Sequence, residues 1–547
     1  LHLSFSKDWR KNGLFSNEKE PSGMGIFKLL LVLRQTGLLS PAGLTRLIMS
    51  IARHGSNLMA LLAISARTYD GKPALRDENE SLSYRELLLQ SEILAHELKS
   101  RYRITRGSRV GFLCKNHAAL VKSLFAASQA GADLFLLNAE MGREQLEHTI
   151  RERSFDLLIH DPAWTPLLEQ MDGPTAMLPA YAGLVEGEDQ LSVDQLCRKE
   201  SSGHSTDDNR LSLTRESGGR LMLLTGGTTG KAKTAPHKPS LFSYLNPMST
   251  LLDKLQLMKC GAAYIATPIY HGYGIAMLLL FIALGKKIVL TPGFQACHAC
   301  ELIRLHRVEF ISVVPIMLKK MLAHDPEALR SLRCIASGGA ELPVALAEEA
   351  KRELGDVLYN LYGTSEAGLA AAATPRELME YPGTIGKRIS GVPLVVRNSS
   401  GQIAEPDEIG MVALRRKGVF ISKSSFIATG DVGWRNRKGY FFLCGRVDDM
   451  IVSGGENVYP VELERVLLGH PCIADAAARG VPDDDFGQRL VAYVQLKPEA
   501  AVSAEEIAVW LRGKAARYQM PRDILLVDEL PYTPLGKVDR KRVGAKE

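Results

Sequence analysis

The residues best suited to chemistry sit first in one loop. The stretch Leu221-Met-Leu-Leu-Thr225-Gly226-Gly227-Thr228-Thr229-Gly230-Lys231-Ala232-Lys233 runs an apolar strand into glycines, threonines and lysines. Glycines let a backbone approach phosphate oxygens, threonine hydroxyls donate to them, and lysines neutralise their charge. The composition therefore points to a polyphosphate, with a flexible surface loop as the plainer alternative. A Walker loop is excluded by spacing. That pattern needs Gly at 225 and Ser or Thr at 232, where this chain has Thr225 and Ala232. Cys297-x-x-Cys300 has metal or redox spacing. No second pair accompanies it, a structural zinc site needs four ligands, and packing is the expected role.

The elements that must position these residues follow from periodicity. Val110–Cys114 and Phe135–Leu137 are predicted strands flanking an Ala-rich helix over Ala118–Ala130. Strand–helix–strand alternation from Leu82 to about 292 implies a largely parallel sheet with crossover helices. A second such region spans 286–396, with strands expected at Phe310–Val314 and Cys334–Ala336. Residues 402–444 switch to short strands broken by Gly, a small β unit, and a compact unit of about 100 residues follows from Asp448. The expected class is α/β: a large N-terminal domain of parallel-sheet subdomains plus a small β unit, then a small α+β C-terminal domain. The boundaries are 1–67 for a tail and amphipathic helical segment, 68–447 for the large domain, and 448–547 for the small one.

The chain has 547 residues, 46% hydrophobic and 23% charged, which fits several subdomains of a soluble globular protein. A net charge of +6 over that length is mild and decides nothing alone. Eight scattered cysteines suit reduced thiols and a cytoplasmic setting. No signal peptide or membrane span is expected. Residues 24–67 carry Lys28, Arg34, Arg46, Arg53 and Arg67 and no acidic residue. Leu44, Leu47, Ile48 and Ile51 share one helical face, as do Leu58, Leu61 and Leu62. Such helices can lie on an anionic membrane, but packing against the body with the arginines in water is the favoured expectation.

A series of further motifs follows the glycine loop, and together they resemble the adenylate-forming superfamily of acyl-CoA synthetases, aryl-CoA ligases, luciferases and peptide-synthetase adenylation domains. The motifs are Leu82-Ser-Tyr-Arg-Glu-Leu87, Pro268-Ile-Tyr-His271-Gly-Tyr-Gly274, Ser337-Gly338-Gly339-Ala340, Asn360-Leu-Tyr362-Gly363-Thr-Ser365-Glu366, Thr429-Gly-Asp431, Gly445-Arg446-Val-Asp448-Asp449, Ser453-Gly454-Gly455-Glu-Asn-Val-Tyr-Pro460 and Pro534-Leu-Gly-Lys537. They come in the family's order and cover the chain from about Leu82 onward. The N-terminal pattern is most similar to bacterial fatty-acyl-CoA synthetases.

The resemblance implies ATP, magnesium and CoA as ligands and a carboxylic acid as substrate. It makes Thr225–Gly230 and Lys233 a phosphate loop, Gly338, Gly339, Ala340, Asn360, Tyr362, Gly363 and Ser365 an adenine and magnesium region, and His271 a catalytic residue of the acyl-pocket motif. Lys537 would bridge the acyl carboxylate and the α-phosphate. Glu366 and Thr228 would hold magnesium, Asp431 and Arg446 the ribose. A hinge at Asp448 would let the C-terminal domain rotate, replacing Lys537 with Ser453-Gly454-Gly455 beside the incoming thiol. Gly226, Ala232 and Thr234 stand where the family usually has Ser, Pro and Gly. Ser365 replaces the usual Thr, and Val452 occupies a position that is Lys in some relatives. Losing one hydrogen bond to a charged group costs about 1.5–3 kcal/mol, which would weaken ATP binding without abolishing it.

Pro268–Phe281 contains no acidic residue, so an ammonium there would be costly to bury. An uncharged acyl tail is expected, a fatty acid first, with aryl or alicyclic acids as alternatives. Three functions remain: an acyl-CoA synthetase, an acyl-AMP ligase loading a separate carrier protein, and a non-catalytic binder. The joint presence of Lys537, Glu366 and Asp431 argues against the last. A nucleic-acid partner is not expected, and membrane contact through 24–67 is the one larger partner left open.

Overall fold

The computed structural model describes residues 40–171, 176–182, 191–199, 216–225, 233–237, 251–364, 368–416, 425–453, 456–483, 485–512, 514–533, 537–540 and 542–544. Two compact units result. One comprises Pro21–Val313 with Lys320–Ala336, the other Val314–Lys319 with Ser337–Glu547.

The first unit is built on two sheets. In one, the strands run in the order Met177–Pro179, Leu157–His160, Arg109–Leu113, Asp133–Leu136, Leu221–Thr225 and Lys233–His237. All neighbours are parallel except the last pair, an antiparallel hairpin. Its strands are short apolar runs buried on both faces, as a crossover topology requires. The helix Ala118–Gln129 supplies the crossover between Arg109–Leu113 and Asp133–Leu136 and is buried along its whole length. In the other sheet, Phe310–Val313, Ala262–Ile265, Lys287–Val289 and Pro73–Arg76 are parallel, and Ser81–Ser83 closes the edge antiparallel. Lys122 is 1% exposed, an unusual position for a lysine; Glu80 and Asp194 hold its ammonium at 2.7 and 2.8 Å.

Two N-terminal helices precede these sheets. Leu58–Tyr69 packs with Leu58 and Leu62 buried, whereas Leu61 is half-buried and Arg67, expected in water, donates to Ser50 Oγ at 3.3 Å. Pro41–His54 reverses the expectation of an apolar face inward and arginines in water. Leu44, Ile48 and Met49 are 44%, 65% and 54% exposed, whereas Ser50 and His54 are buried. Arg53 is tied to Glu92 at 3.1 Å. The polar side of this helix faces protein because Glu92 and Gln129 offer Arg53 and His54 partners there.

The second unit starts from an antiparallel sheet in the order Leu358–Thr364, Gly368–Ala373, Thr384–Arg388, Phe441–Arg446, Ser425–Arg435, Gly410–Arg416 and Leu394–Arg397. A second sheet follows, with Ile473–Asp483 and Gly487–Leu496 as a long hairpin and Asp523–Leu526 parallel to the latter. The helices Pro460–Leu468 and Ala504–Leu511 contribute Leu463, Leu467, Ile507 and Leu511 to its apolar core.

Candidate active site

The clearest constellation grows from one strand pair. Ser425–Arg435 and Phe441–Arg446 are antiparallel neighbours, and their register sets Asp431 directly opposite Arg446. Cross-strand partners of opposite charge attract one another. Here Arg446 Nη1 lies 3.2 Å from Asp431 Oδ1, and Nη2 lies 3.3 Å from Asp448 Oδ2. Gly430 sits at φ +81°, and a Cβ there would come within 2.8 Å of Arg446 Nη2. Glycine serves both the left-handed backbone and the room for the guanidinium. The Asp431 N–H donates to Thr429 Oγ1 at 3.1 Å, and that hydroxyl donates to the Val412 carbonyl at 3.0 Å.

Tyr362 completes the arrangement from the strand Leu358–Thr364. Its hydroxyl donates to Asp431 Oδ2 at 2.5 Å, and its ring packs among Ala370, Ala371, Ile385 and Val412. Burial first, then the neighbouring Asp431 carboxylate, push its phenol well above the usual tyrosine range. It therefore stays a donor, and Asp431 stays oriented. The residue is only 9% exposed, so its hydroxyl is its main route to the site. Asn360, two residues earlier, is buried and donates to the Thr384 carbonyl at 3.1 Å. Gly363 follows at a register shift, where a Cβ would meet the Gly368 carbonyl oxygen at 2.5 Å. Gly338 ends a buried strand, Gly339 turns the chain at φ +81°, and Ala340 lies in the turn beyond.

Lys537 lies within electrostatic reach of Asp431, Arg446 and Asp449. The residue is exposed as a whole, yet protein crowds its ammonium. That desolvation holds its pKa below the ordinary lysine value, while the Asp431 carboxylate pulls the other way. The structure thus brings together four residues separated by up to 175 positions in sequence: Tyr362, Asp431, Arg446 and Lys537.

In the first unit, Thr225 and Lys233 are register partners at the base of the Leu221–His237 hairpin. The loop they close, Gly226, Gly227, Thr228, Thr229, Gly230, Lys231 and Ala232, lies outside the described residues, as do Ser365, Glu366, Gly454 and Gly455. His271 is the N-cap residue of the helix Gly272–Ala283, and its ring lies 4.6 Å from that of Tyr270. The turn before it is tight. A Cβ on Gly274 would come within 2.1 Å of the Pro268 carbonyl oxygen.

Sequence reasoning missed Asn116, whose side chain fixes that turn. Its Nδ2 donates to the carbonyls of Thr267 and Ile265 at 3.0 and 3.2 Å, and its Oδ1 accepts from the Ile269 N–H at 2.7 Å. Nothing in the sequence around a single Asn marks it. Sequence reasoning also missed Cys114, His117 and Asp161, whose ligand-type atoms lie within 4.8 Å of one another, the spacing of a metal site. His117 Nδ1 accepts from the Leu120 N–H at 3.1 Å, which leaves the ring hydrogen on Nε2, 2.7 Å from Asp161 Oδ1. Both ring nitrogens are thus committed, and the cluster pins the start of a helix rather than a cation. Cys297 and Cys300 share the helix Ala296–His306, the first exposed and the second buried.

Two family models match the chain: AMP-binding enzyme over residues 62–422 and AMP-binding enzyme C-terminal domain over 462–537. The 2-succinylbenzoate–CoA ligase of Bacillus velezensis is 28% identical over 483 residues, covering 86% of this chain and 94% of its own. A fatty acid–[acyl-carrier-protein] ligase of Streptomyces coeruleorubidus is 27% identical, covering 86% and 92%. Among solved structures, the o-succinylbenzoate CoA synthetase of Bacillus subtilis with an acyl-adenylate superposes with a TM-score of 0.73 at 24% identity, covering 89% of this chain and 98% of its own. The chain belongs to the AMP-binding enzyme family, with that family's fold of a large α/β N-terminal domain and a small C-terminal one. Within it, the chain is an AMP-forming acid–thiol ligase: it uses ATP to activate a carboxylic acid for transfer to a thiol.

Proposed function

We propose that this ligase acts on an acid with an uncharged tail, a fatty acid first, and that Lys537, Asp431 and Arg446 carry the adenylation step. The supporting observation is the Asp431–Arg446–Tyr362 constellation, with Lys537 in electrostatic reach of it. A carboxylate is a poor electrophile, and its attack on the α-phosphate sets anion against anion. A cation aimed at both lowers that barrier, and such electrostatic stabilisation is usually the largest catalytic term. Lys537 is that cation. Asp431, held by Tyr362 and Arg446, accepts the ribose hydroxyls and so places the α-phosphate before Lys537. Thr225, Lys233 and the loop between them take the outer phosphates, and His271 sits at the acyl end. Magnesium, held by Glu366 and Thr228 in this reading, offsets charge on the phosphates when bound.

The second step needs the adenylate carbonyl open to the thiol of CoA, which cannot approach while Lys537 occupies that place. Residues 448–547 accordingly pivot at Asp448 and present Ser453, Gly454 and Gly455. A fatty acid is favoured over an amino acid because Pro268–Phe281 offers no carboxylate for an ammonium. An aryl acid is the second reading, favoured by the 2-succinylbenzoate relative. A carrier protein as acceptor is the third, favoured by the carrier-protein ligase relative. We place the enzyme in the cytoplasm, where eight free thiols stay reduced, with peripheral membrane contact through 24–67.

Acid-dependent pyrophosphate release across fatty, aromatic and amino acids tests the substrate class. Release with fatty acids is expected, and release with amino acids alone would overturn the reading. Lys537→Ala is expected to stop acid-dependent ATP–pyrophosphate exchange yet spare thioester formation from supplied acyl-AMP and CoA. Equal loss in both half-reactions would remove Lys537 from its role.

A further inference from the structure

The second unit holds a polar relay that the catalytic reading does not use. Lys319, on the helix that begins at Pro315, donates to the Ala474 carbonyl at 2.7 Å and lies 3.2 Å from Asp475 Oδ2. The same Oδ2 accepts the hydroxyl of Tyr532. Asp475 Oδ1 accepts the Ala476 N–H at 2.9 Å. The carboxylate is 13% exposed, so these partners rather than water satisfy it. Its charge sits within a partly dry contact, where an ion pair counts for more than on an open surface.

Tyr532 is the foot of the loop that carries Lys537. It forms an isolated β-bridge with Val538. Within that bridge the Thr533 N–H donates to the Lys537 carbonyl at 2.7 Å, and the Lys537 N–H donates to Thr533 Oγ1 at 3.2 Å. The far end is anchored too. Arg540 grips both carboxylate oxygens of the buried Glu464 at 2.8 and 3.0 Å. The Lys537 loop therefore hangs between two carboxylates, Glu464 and Asp475. The difference lies in their further partners. Glu464 is bound by Arg540 and the Ala478 N–H, all from the C-terminal part of the chain. Asp475 alone of the two is also bound by a residue from more than 150 positions earlier.

We propose that Lys319 is a positioning residue for adenylation. By pairing with Asp475 it ties residues 448–547 to the segment Val314–Lys319 of the same unit, and through the carboxylate oxygen shared with Tyr532 it holds the Lys537 loop within electrostatic reach of Asp431. The proposal rests on the reading of Lys537 given above. Its logic is that of a two-position switch. A contact present in one arrangement of the C-terminal part and absent in the other shifts the balance between them by its own free energy. Lys319 and Asp475 favour the arrangement that keeps Lys537 within electrostatic reach of Asp431, so they serve the first half-reaction and not the second.

The test compares the two half-reactions in the full chain carrying Lys319→Met, Lys319→Arg or Asp475→Asn, with Lys537→Ala alongside. Methionine keeps the apolar stem and removes the charge. Lys319→Met should lower acid-dependent ATP–pyrophosphate exchange about tenfold, equivalent to about 1.4 kcal/mol, while thioester formation from supplied acyl-AMP and CoA is unchanged or faster. Lys319→Arg should restore exchange to within about twofold. Asp475→Asn keeps an acceptor for Tyr532 and should behave as Lys319→Met. Raising ionic strength should slow exchange in the wild type more than in Lys319→Met. Equal loss in both half-reactions marks a merely structural role and overturns the proposal, as does unchanged exchange. If Lys537→Ala retains exchange, the reading of the active site fails whatever Lys319 does. If Lys537→Ala loses exchange and Lys319→Met keeps it, that reading stands and the relay falls.

Discussion

Asp431 has three polar neighbours that each limit what it can do. Tyr362 takes one oxygen, Arg446 the other, and Thr429 fixes its backbone. Lys537 feels the same carboxylate from farther off, and a pH dependence follows with a definite sign. Desolvation has lowered its pKa, so the ammonium form is lost as pH rises through a value below the ordinary lysine one. If adenylation needs the charged form, exchange should hold on the acid side of that value and fall on the alkaline side. Asp431 opposes the shift, so Asp431→Asn should move the descending limb to lower pH. A pH profile of ATP–pyrophosphate exchange for both proteins checks this, and an unmoved limb would count against the pairing. At this scale the sequence was legible where residues sit in motifs. Asp431, Arg446 and Lys537 could be named because each has fixed neighbours in the chain. Asn116, Lys319 and Asp475 could not, since each is one polar residue whose partners are distant in sequence.

Elements carry their own evidence. The parallel strands Arg109–Leu113 and Asp133–Leu136 and the helix between them were readable because a buried strand is a short apolar run between turn signals. The helix Pro41–His54 shows where that reading stops. Its apolar periodicity was visible, but which side meets protein is decided by Glu92 and Gln129, and periodicity does not encode a distant polar partner. The turn Pro268–Gly274 is set by the space at one glycine. Gly274→Ala would drive a methyl group into the Pro268 carbonyl. The turn must open to relieve the clash, at a cost of about 1–3 kcal/mol. Thermal unfolding should show the loss, and acid-dependent turnover should fall with it because His271 lies within that turn. An unchanged Tm would mean that the turn relaxes without strain.

For the molecule as a whole, composition set the broad class and the ordered motifs set the family. Neither reaches the surface. The exposed row of Leu44, Ile48 and Met49 is a face that water does not favour, in a segment with five basic and no acidic residues between 24 and 67. Among the described residues no helix is long and apolar enough to cross a membrane, so a membrane contact made here would be peripheral. The full chain should float with vesicles rich in phosphatidylglycerol and less with neutral phosphatidylcholine. The double substitution I48E and M49E should abolish flotation while leaving turnover of a short soluble acid intact, since neither residue is buried. Retained flotation would place the contact elsewhere, and loss of self-association on sizing would show that a second copy covers the face instead.

The register that sets Asp431 opposite Arg446 is a measure of length. The two residues meet because the strands between them, the bulge at Val432–Gly433 and the turn at Asn436–Tyr440 hold a fixed number of residues. Side chains on a strand alternate, so a one-residue insertion in that turn would send the partners to opposite faces while leaving both motifs intact in the sequence. Two enzymes could then share every signature residue and differ in whether those residues can act together. The stretch between the motifs, which no signature records, is under the same constraint as the motifs themselves.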